Sequence, residues 1–197
     1  MSRPVQFISA LLLIGLLLLI PSRSIQHHPL PERHATPRRV TPPRLAAYDR
    51  LIRDAASKID WDWRLVAAIV HQESRFNSQA RAADGAGIGL MQINSTRYTE
   101  DTLLIPSVNL AIGTAYLHRL ERMFPAAGAM DSLKFSIAAF NMGDGKLKKV
   151  ISEASEAGVD ATRWDEVKTL LPKGHHTVVY VDEVMDTYRK YVQLLPR

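Results

Sequence analysis

Apolar side chains recur three and four positions apart along most of this chain, which is the mark of helices with one buried face. Leu45, Tyr48, Leu51, Ile52, Ala55 and Ile59 trace one such face. Trp61, Leu65, Val66, Ile69 and Val70 trace a second, and Asp60 or Asp62 stands ahead of it as a side chain able to cap the first turn. Ser107 is placed to cap a helix running to about Phe124, where Pro125 ends it. Asp131 is placed to cap another that reaches about Phe140; Gly143-Asp144-Gly145 breaks it and Lys146–Glu156 resumes. A short helix over Trp164–Leu171 and a long one over Thr177–Leu195 complete the series. Residues 77–102 interrupt the rhythm. They are polar and glycine-rich, with Asp84, Gly85, Gly87 and Gly89, and read as a long loop with a short strand at Met91–Asn94. The pattern predicts a mostly α single domain around one long Gly-rich loop, with at most a short β-hairpin.

The first 44 residues follow a different pattern. Arg3 and the amino terminus precede an apolar run from Ala10 to Ile20, which Pro21 stops. Apolar runs of about 10–14 residues are short for a bilayer and mark signal-peptide cores more often than spans. Ser22-Arg23-Ser24 offers a small-x-small cleavage site. Residues 1–24 therefore read as a signal peptide or an uncleaved signal anchor, which places the protein in the periplasm or cell envelope and gives it a membrane tether if the anchor is kept. Residues 25–44 read as a disordered linker. Six of the 11 prolines fall between Pro21 and Pro43, among Arg and His residues, with too little apolar surface to offset the entropy of ordering. His27, His28 and His34 have nothing to fix a ligand geometry and read as part of a solvated tether. Residues 45–197 remain as the folded domain.

Composition narrows the chemistry. The 197 residues contain no cysteine, which excludes a disulfide scaffold, a thiol nucleophile and Cys-based metal sites. The net charge of +5 suggests a nucleic-acid partner until its placement is read. Six of the 25 basic residues and one of the 20 acidic residues lie before residue 45, leaving nineteen of each in the prospective domain. A neutral domain has no basic footprint, so no nucleic acid is expected. No metal and no cofactor is expected either, since the histidines lack ligand spacing.

Glu73 is the informative departure from the helical pattern. Its position continues the stripe of Leu65, Val66, Ile69 and Val70, so an acid sits at the end of a core-facing row. Desolvation disfavours the anion and raises the pKa of such a carboxyl. A carboxyl still protonated near neutral pH suits a general acid acting on a glycosidic oxygen. On periodicity alone, a helix-terminal acid that reaches water or pairs with Arg75 or Arg64 is the better-supported reading, because most such acids are structural.

Further motifs lie downstream. Glu73-Ser74 is followed by Gly89-Leu90-Met91-Gln92, then by Ala139-Phe140-Asn141 at a helix end and by Tyr180-Val181 on the last helix. Asn109-Leu110 and Tyr116-Leu117 lie between them. In order and spacing this set resembles the soluble lytic transglycosylase family of peptidoglycan-cleaving enzymes, whose catalytic domains are lysozyme-like. The resemblance covers about Ile59 to Tyr191. It implies peptidoglycan glycan strands as substrate and Glu73 as sole acid and base. It implies that Glu73 first protonates the oxygen between N-acetylmuramic acid and N-acetylglucosamine, then takes a proton from the muramoyl C6 hydroxyl as that oxygen closes on C1, giving a 1,6-anhydro product. By the same resemblance Ser74, Met91, Gln92, Phe140, Asn141 and Tyr180 bind substrate or steady Glu73. The chain departs from the family pattern in three places. Phe140 replaces a tyrosine, the loop reads Gly85-Ala86-Gly87-Ile88-Gly89, and His176-Thr177 stands where Glu-Thr is frequent. Met91-Gln92-Ile93-Asn94-Ser95 also looks like the entry to a lysozyme hairpin, which keeps a muramidase outcome open. A non-catalytic wall-binding scaffold is the other alternative.

Overall fold

The computed structural model describes residues 43–83 and 85–195. The leader expected over residues 1–24, nearly all of the linker over 25–44, and Asp84 lie outside the described residues. Nine α-helices and a two-stranded hairpin make up the described chain: α1 Pro43–Ala46, α2 Asp49–Ser57, α3 Trp63–Ser74, β1 Gly87–Ile88, β2 Ile93–Asn94, α4 Glu100–Leu103, α5 Pro106–Glu121, α6 Ala129–Met142, α7 Asp144–Glu156, α8 Trp164–Val167 and α9 His176–Leu194. The strands pair antiparallel, Gly87 opposite Asn94 and Ile88 opposite Ile93. The mostly α architecture with one short hairpin is the one the hydrophobic pattern predicts.

α3 is the axis of the domain. Every residue from Trp63 to Val70 is buried, so this helix has no solvent face along its first two turns. The single apolar stripe expected for it is thus too narrow. Ala67 and Ala68 are small enough to let neighbouring elements close over the remaining sides. α9 packs along α3, α5 and α6 pack together, and α2 joins both α3 and α5. Asp62 is the cap of α3, accepting from the Arg64 amide. Its carboxylate also takes the Arg64 guanidinium, Nε to Oδ1 at 2.9 Å, and the Tyr188 hydroxyl of α9 at 3.1 Å. Arg64 and Tyr188 hold the Asp62 carboxyl below the usual carboxylate range despite its partial burial.

Three expectations about helix starts need correction. The apolar face from Leu45 to Ile59 belongs to two helices, separated at Ala47-Tyr48. Ser107 does not cap α5; Pro106 opens it, its fixed φ suiting the first turn and its missing N–H leaving no orphan donor. Asp131 does not cap α6, which begins at Ala129 behind Gly128. It accepts instead from the Trp164 amide at 2.9 Å and so caps α8. The long loop also contains α4, opened by the Thr99 side chain, which sequence periodicity was too short to reveal.

Candidate active site

Glu73 is the second-last residue of α3, where that helix leaves the core. Arg75 (φ 50°) and Phe76 (φ 61°) are both left-handed, which ends the helix abruptly and turns the chain into the glycine-rich loop. Glu73 is half-buried. Tyr180, on α9, donates its hydroxyl to Glu73 Oε1. Neither arginine considered as a partner neutralises the acid: Arg64 is held by Asp62, and Arg75 forms no ion pair among the described residues. Burial therefore dominates and pushes the Glu73 pKa up to about 7, against the smaller opposite pull of the Tyr180 hydrogen bond. The same burial and the neighbouring carboxyl raise the Tyr180 phenol well above its ordinary value, so this group stays a proton donor. His71, two residues earlier, faces elsewhere. Its ring stacks on Phe76 and Tyr191, and its Nδ1 lies 3.1 Å from the Tyr191 hydroxyl.

The other sequence-predicted residues are tied to the ends of α3, α6 and α9 by separate contacts. Ser74 donates its hydroxyl to the Leu90 carbonyl at 2.9 Å, which ties the end of α3 to the Gly89–Gln92 turn. Its proton is thereby given to backbone. Thr177, one turn before Tyr180, donates to Asn141 Oδ1 at 2.8 Å and ties α9 to the end of α6. Gln92 and Phe140 then meet across a groove of about 720 Å³, lined also by Tyr98, Ile112, Tyr116 and Asp144. Glu73, Asn141 and Tyr180 are outside this lining; Asn141 adjoins it through Phe140. Phe140 packs on Tyr116 with ring centres 5.6 Å apart, so its ring presents an apolar wall.

Met91 is a correction. It was expected to line the site, but its side chain is fully buried, and a Cβ on Gly113 would come within 2.3 Å of its sulfur. Met91 thus fills the seam between the loop and α5. Gln92 has positive φ (47°), and its amide nitrogen donates to the Gly89 carbonyl at 2.9 Å, so it braces the turn while lining the groove.

Asn109 was noted as a motif position, yet it was given no task. It is completely buried on α5 and satisfies three loop groups: it accepts from the Met91 amide at 2.8 Å and donates to the Ile88 and Leu103 carbonyls at 2.8 and 2.9 Å. Gly89 lies against it with φ 78°, and a Cβ there would stand 2.3 Å from Asn109 Nδ2. A polar residue on the apolar face of α5 was the sequence signal. Thr177, also completely buried, was passed over in the same way. Among the described residues no group of three or more His, Cys, Asp or Glu side chains is gathered to hold a metal. The arrangement offers one proton from a desolvated carboxyl held by a tyrosine hydroxyl, and a separate groove lining with one aromatic wall.

The family model described as the transglycosylase SLT domain matches residues 50–162. The membrane-bound lytic murein transglycosylase F of Desulfosudis oleivorans is 32% identical over 145 residues, covering 71% of this chain and 31% of that protein. Its namesake from Histophilus somni is 37% identical over 121 residues, covering 58% and 24%. Among solved structures, the 70-kDa soluble lytic transglycosylase of Escherichia coli superposes with a TM-score of 0.59 at 25% identity, over 74% of this chain and 24% of that one. A 70-kDa soluble lytic transglycosylase in complex with bulgecin A matches at a TM-score of 0.60 and 26% identity, over 78% and 26%. The chain thus spans about a third or less of the length of these relatives.

Proposed function

The chain belongs to the transglycosylase SLT domain family, and on that premise we propose that it is an exported lytic transglycosylase of peptidoglycan with Glu73 as its single acid and base. One observation carries this reading: Glu73 is held half-buried against the Tyr180 hydroxyl, with its pKa near 7. A carboxyl so poised holds its proton at neutral pH and can also accept one back.

In the proposed reaction the glycan lies in the groove with the bond between N-acetylmuramic acid and N-acetylglucosamine beside Glu73. Glu73 gives its proton to the bridging oxygen, and the C1–O bond breaks. The resulting carboxylate, steadied by the Tyr180 hydroxyl, takes the proton of the muramoyl C6 hydroxyl as that oxygen bonds to C1. The acid is regenerated, no water is consumed, and the product ends in a 1,6-anhydro ring. Gln92 and Asn141 offer polar contacts to the sugars and Phe140 offers a ring face. Ser74 serves indirectly, by fixing the loop. Residues 1–24 are proposed to export the chain to the periplasm or envelope, residues 25–44 to act as a spacer, and residues 45–197 to carry the activity. Among the described residues no helix is long and apolar enough to cross a membrane.

Digestion of purified sacculi followed by mass spectrometry tests the reaction. Products one water lighter than hydrolytic fragments are expected. Products at full hydrolytic mass would replace this reading with a muramidase. Glu73→Gln is expected to lower turnover by about a thousandfold or more. Undiminished turnover in that variant would refute the assignment of Glu73. A folded protein that binds sacculi without releasing fragments would favour a scaffold.

A further inference from the structure

The groove shared by Gln92 and Phe140 has a cationic portion with no assigned task. Arg97, from the segment between β2 and α4, and Arg119, from α5, both line it. The Arg119 guanidinium carbon lies 4.9 Å from the centre of the Tyr116 ring, and that ring rests in turn on Phe140. An aromatic ladder thus leads from the proposed sugar-facing wall to a guanidinium. Tyr116 anchors Arg119 by this contact and by a hydrogen bond from the guanidinium, and a guanidinium carries five N–H donors, enough to keep that bond and still reach a carboxylate. Asp144 is the one carboxylate among the lining residues, and Lys148 stands 4.0 Å from it. Neither Arg97 nor Arg119 forms an ion pair with a carboxylate among the described residues, unlike Arg53 with Asp49 or Arg64 with Asp62 and like Arg75, but these two share one groove. Two guanidiniums and one already engaged carboxylate leave this stretch of groove short of negative charge.

An uncharged polysaccharide could accept hydrogen bonds from such a pair but would leave its charge unmatched. Peptidoglycan differs from a neutral glycan in the lactyl–peptide arm of its muramic residues, which carries carboxylates. We propose that Arg97 and Arg119 bind a carboxylate of that arm and so select strands that bear it; this rests on the glycan-cleaving reading above. The carboxylate has two sources: the peptide stem, or the lactyl group left when the stem is removed.

Titration calorimetry on the full chain carrying Glu73→Gln, which holds strands uncleaved, tests the proposal. Three ligands are compared: a chito-oligosaccharide without carboxylates, glycan strands stripped of peptide, and strands with intact stems. Carboxylate-bearing strands are expected to bind roughly five- to tenfold more tightly than the neutral one, a range set by two solvent-facing ion pairs. Adding Arg97→Gln and Arg119→Gln should close that gap, and raising the salt should narrow it. A gap carried by both stripped and intact strands identifies the lactyl group, and one carried by intact strands alone identifies the stem. Equal affinity for all three ligands would overturn the proposal, as would a gap that persists in the double variant or is insensitive to salt. A distorted groove lowers all affinities together and leaves their ratio. Failure of the cleavage reading shows up separately, as sacculi left intact by the unsubstituted chain.

Discussion

Glu73 and Gln92 are held by two different kinds of scaffold. Glu73 rides on α3, a helix buried on every side for two turns, and is met by Tyr180 from α9, which packs along it. Gln92 sits in a turn with left-handed backbone, whose polar groups are satisfied one by one by Asn109, Ser74 and its own side chain. Apolar burial fixes the first region, and buried hydrogen bonds fix the second. Apolar packing degrades gradually when trimmed, whereas a buried hydrogen-bond hub fails when one member is removed, because the partners are left unsatisfied.

The sharpest way to break the contrast is Asn109→Ala. It strands one amide and two carbonyls in the interior, at a cost of about 3–5 kcal/mol. Denaturant unfolding should show that loss, and amide exchange should place the first opening in residues 86–105. Protection lost equally in α3 would contradict the division into two regions.

Glu73→Gln comes next and acts on the other region. The folded-state pKa of about 7 lies above the ordinary 4.5. The carboxyl therefore binds its proton more tightly folded than unfolded, and its contribution to stability is full below pH 4.5 and lost as pH rises toward 7. That loss is on the order of 3 kcal/mol. Glutamine has no such dependence, so the variant should match the parent near pH 4 and exceed it near pH 8. Parallel stability curves across that range would mean that Glu73 is not desolvated.

Tyr180→Phe removes the hydroxyl that eases ionisation of Glu73. Its pKa should rise further, which moves the alkaline limb of the pH–rate profile upward. Turnover should fall about ten- to a hundredfold, the worth of one charge-assisted hydrogen bond. The smallest effect belongs to the link between the regions. Ser74→Ala frees the Leu90 carbonyl at about 1 kcal/mol. It should raise KM more than it lowers kcat, because it loosens the Gly89–Gln92 turn and leaves Glu73 in place.

The two regions also differ in how well the sequence disclosed them. Period-3.6 burial exposed α3, and the polar break at Glu73 stood out against it. Even so, a stripe pattern understated a helix buried all round, because Ala67 and Ala68 carry too little side chain to register as core. In the loop, the glycines announced tight backbone, but the partners that fix it lie far off in sequence. Met91 is separated from Asn109 by a turn, a short helix and a proline, and no local period connects them. Met91 and Ser74 looked like site residues by motif for this reason, while in the fold Met91 is buried against Gly113 and Ser74 bonds the Leu90 carbonyl. Asp131 misled in the same way, since its position suited a cap for α6 while its partner, Trp164, waited 33 residues on. Asn141 needed Thr177 to be placed, a contact across two helices. Arg97 and Arg119 left no trace in the sequence, because exposed arginines are ordinary until a shared groove brings them together.

The account stands on the protonation of one side chain, and carbon-13 NMR of the Glu73 carboxyl reads it directly, with Glu73→Gln assigning the signal. Titration with a midpoint near pH 7 is predicted. A midpoint near 4.5, the value of a solvated glutamate, would contradict it.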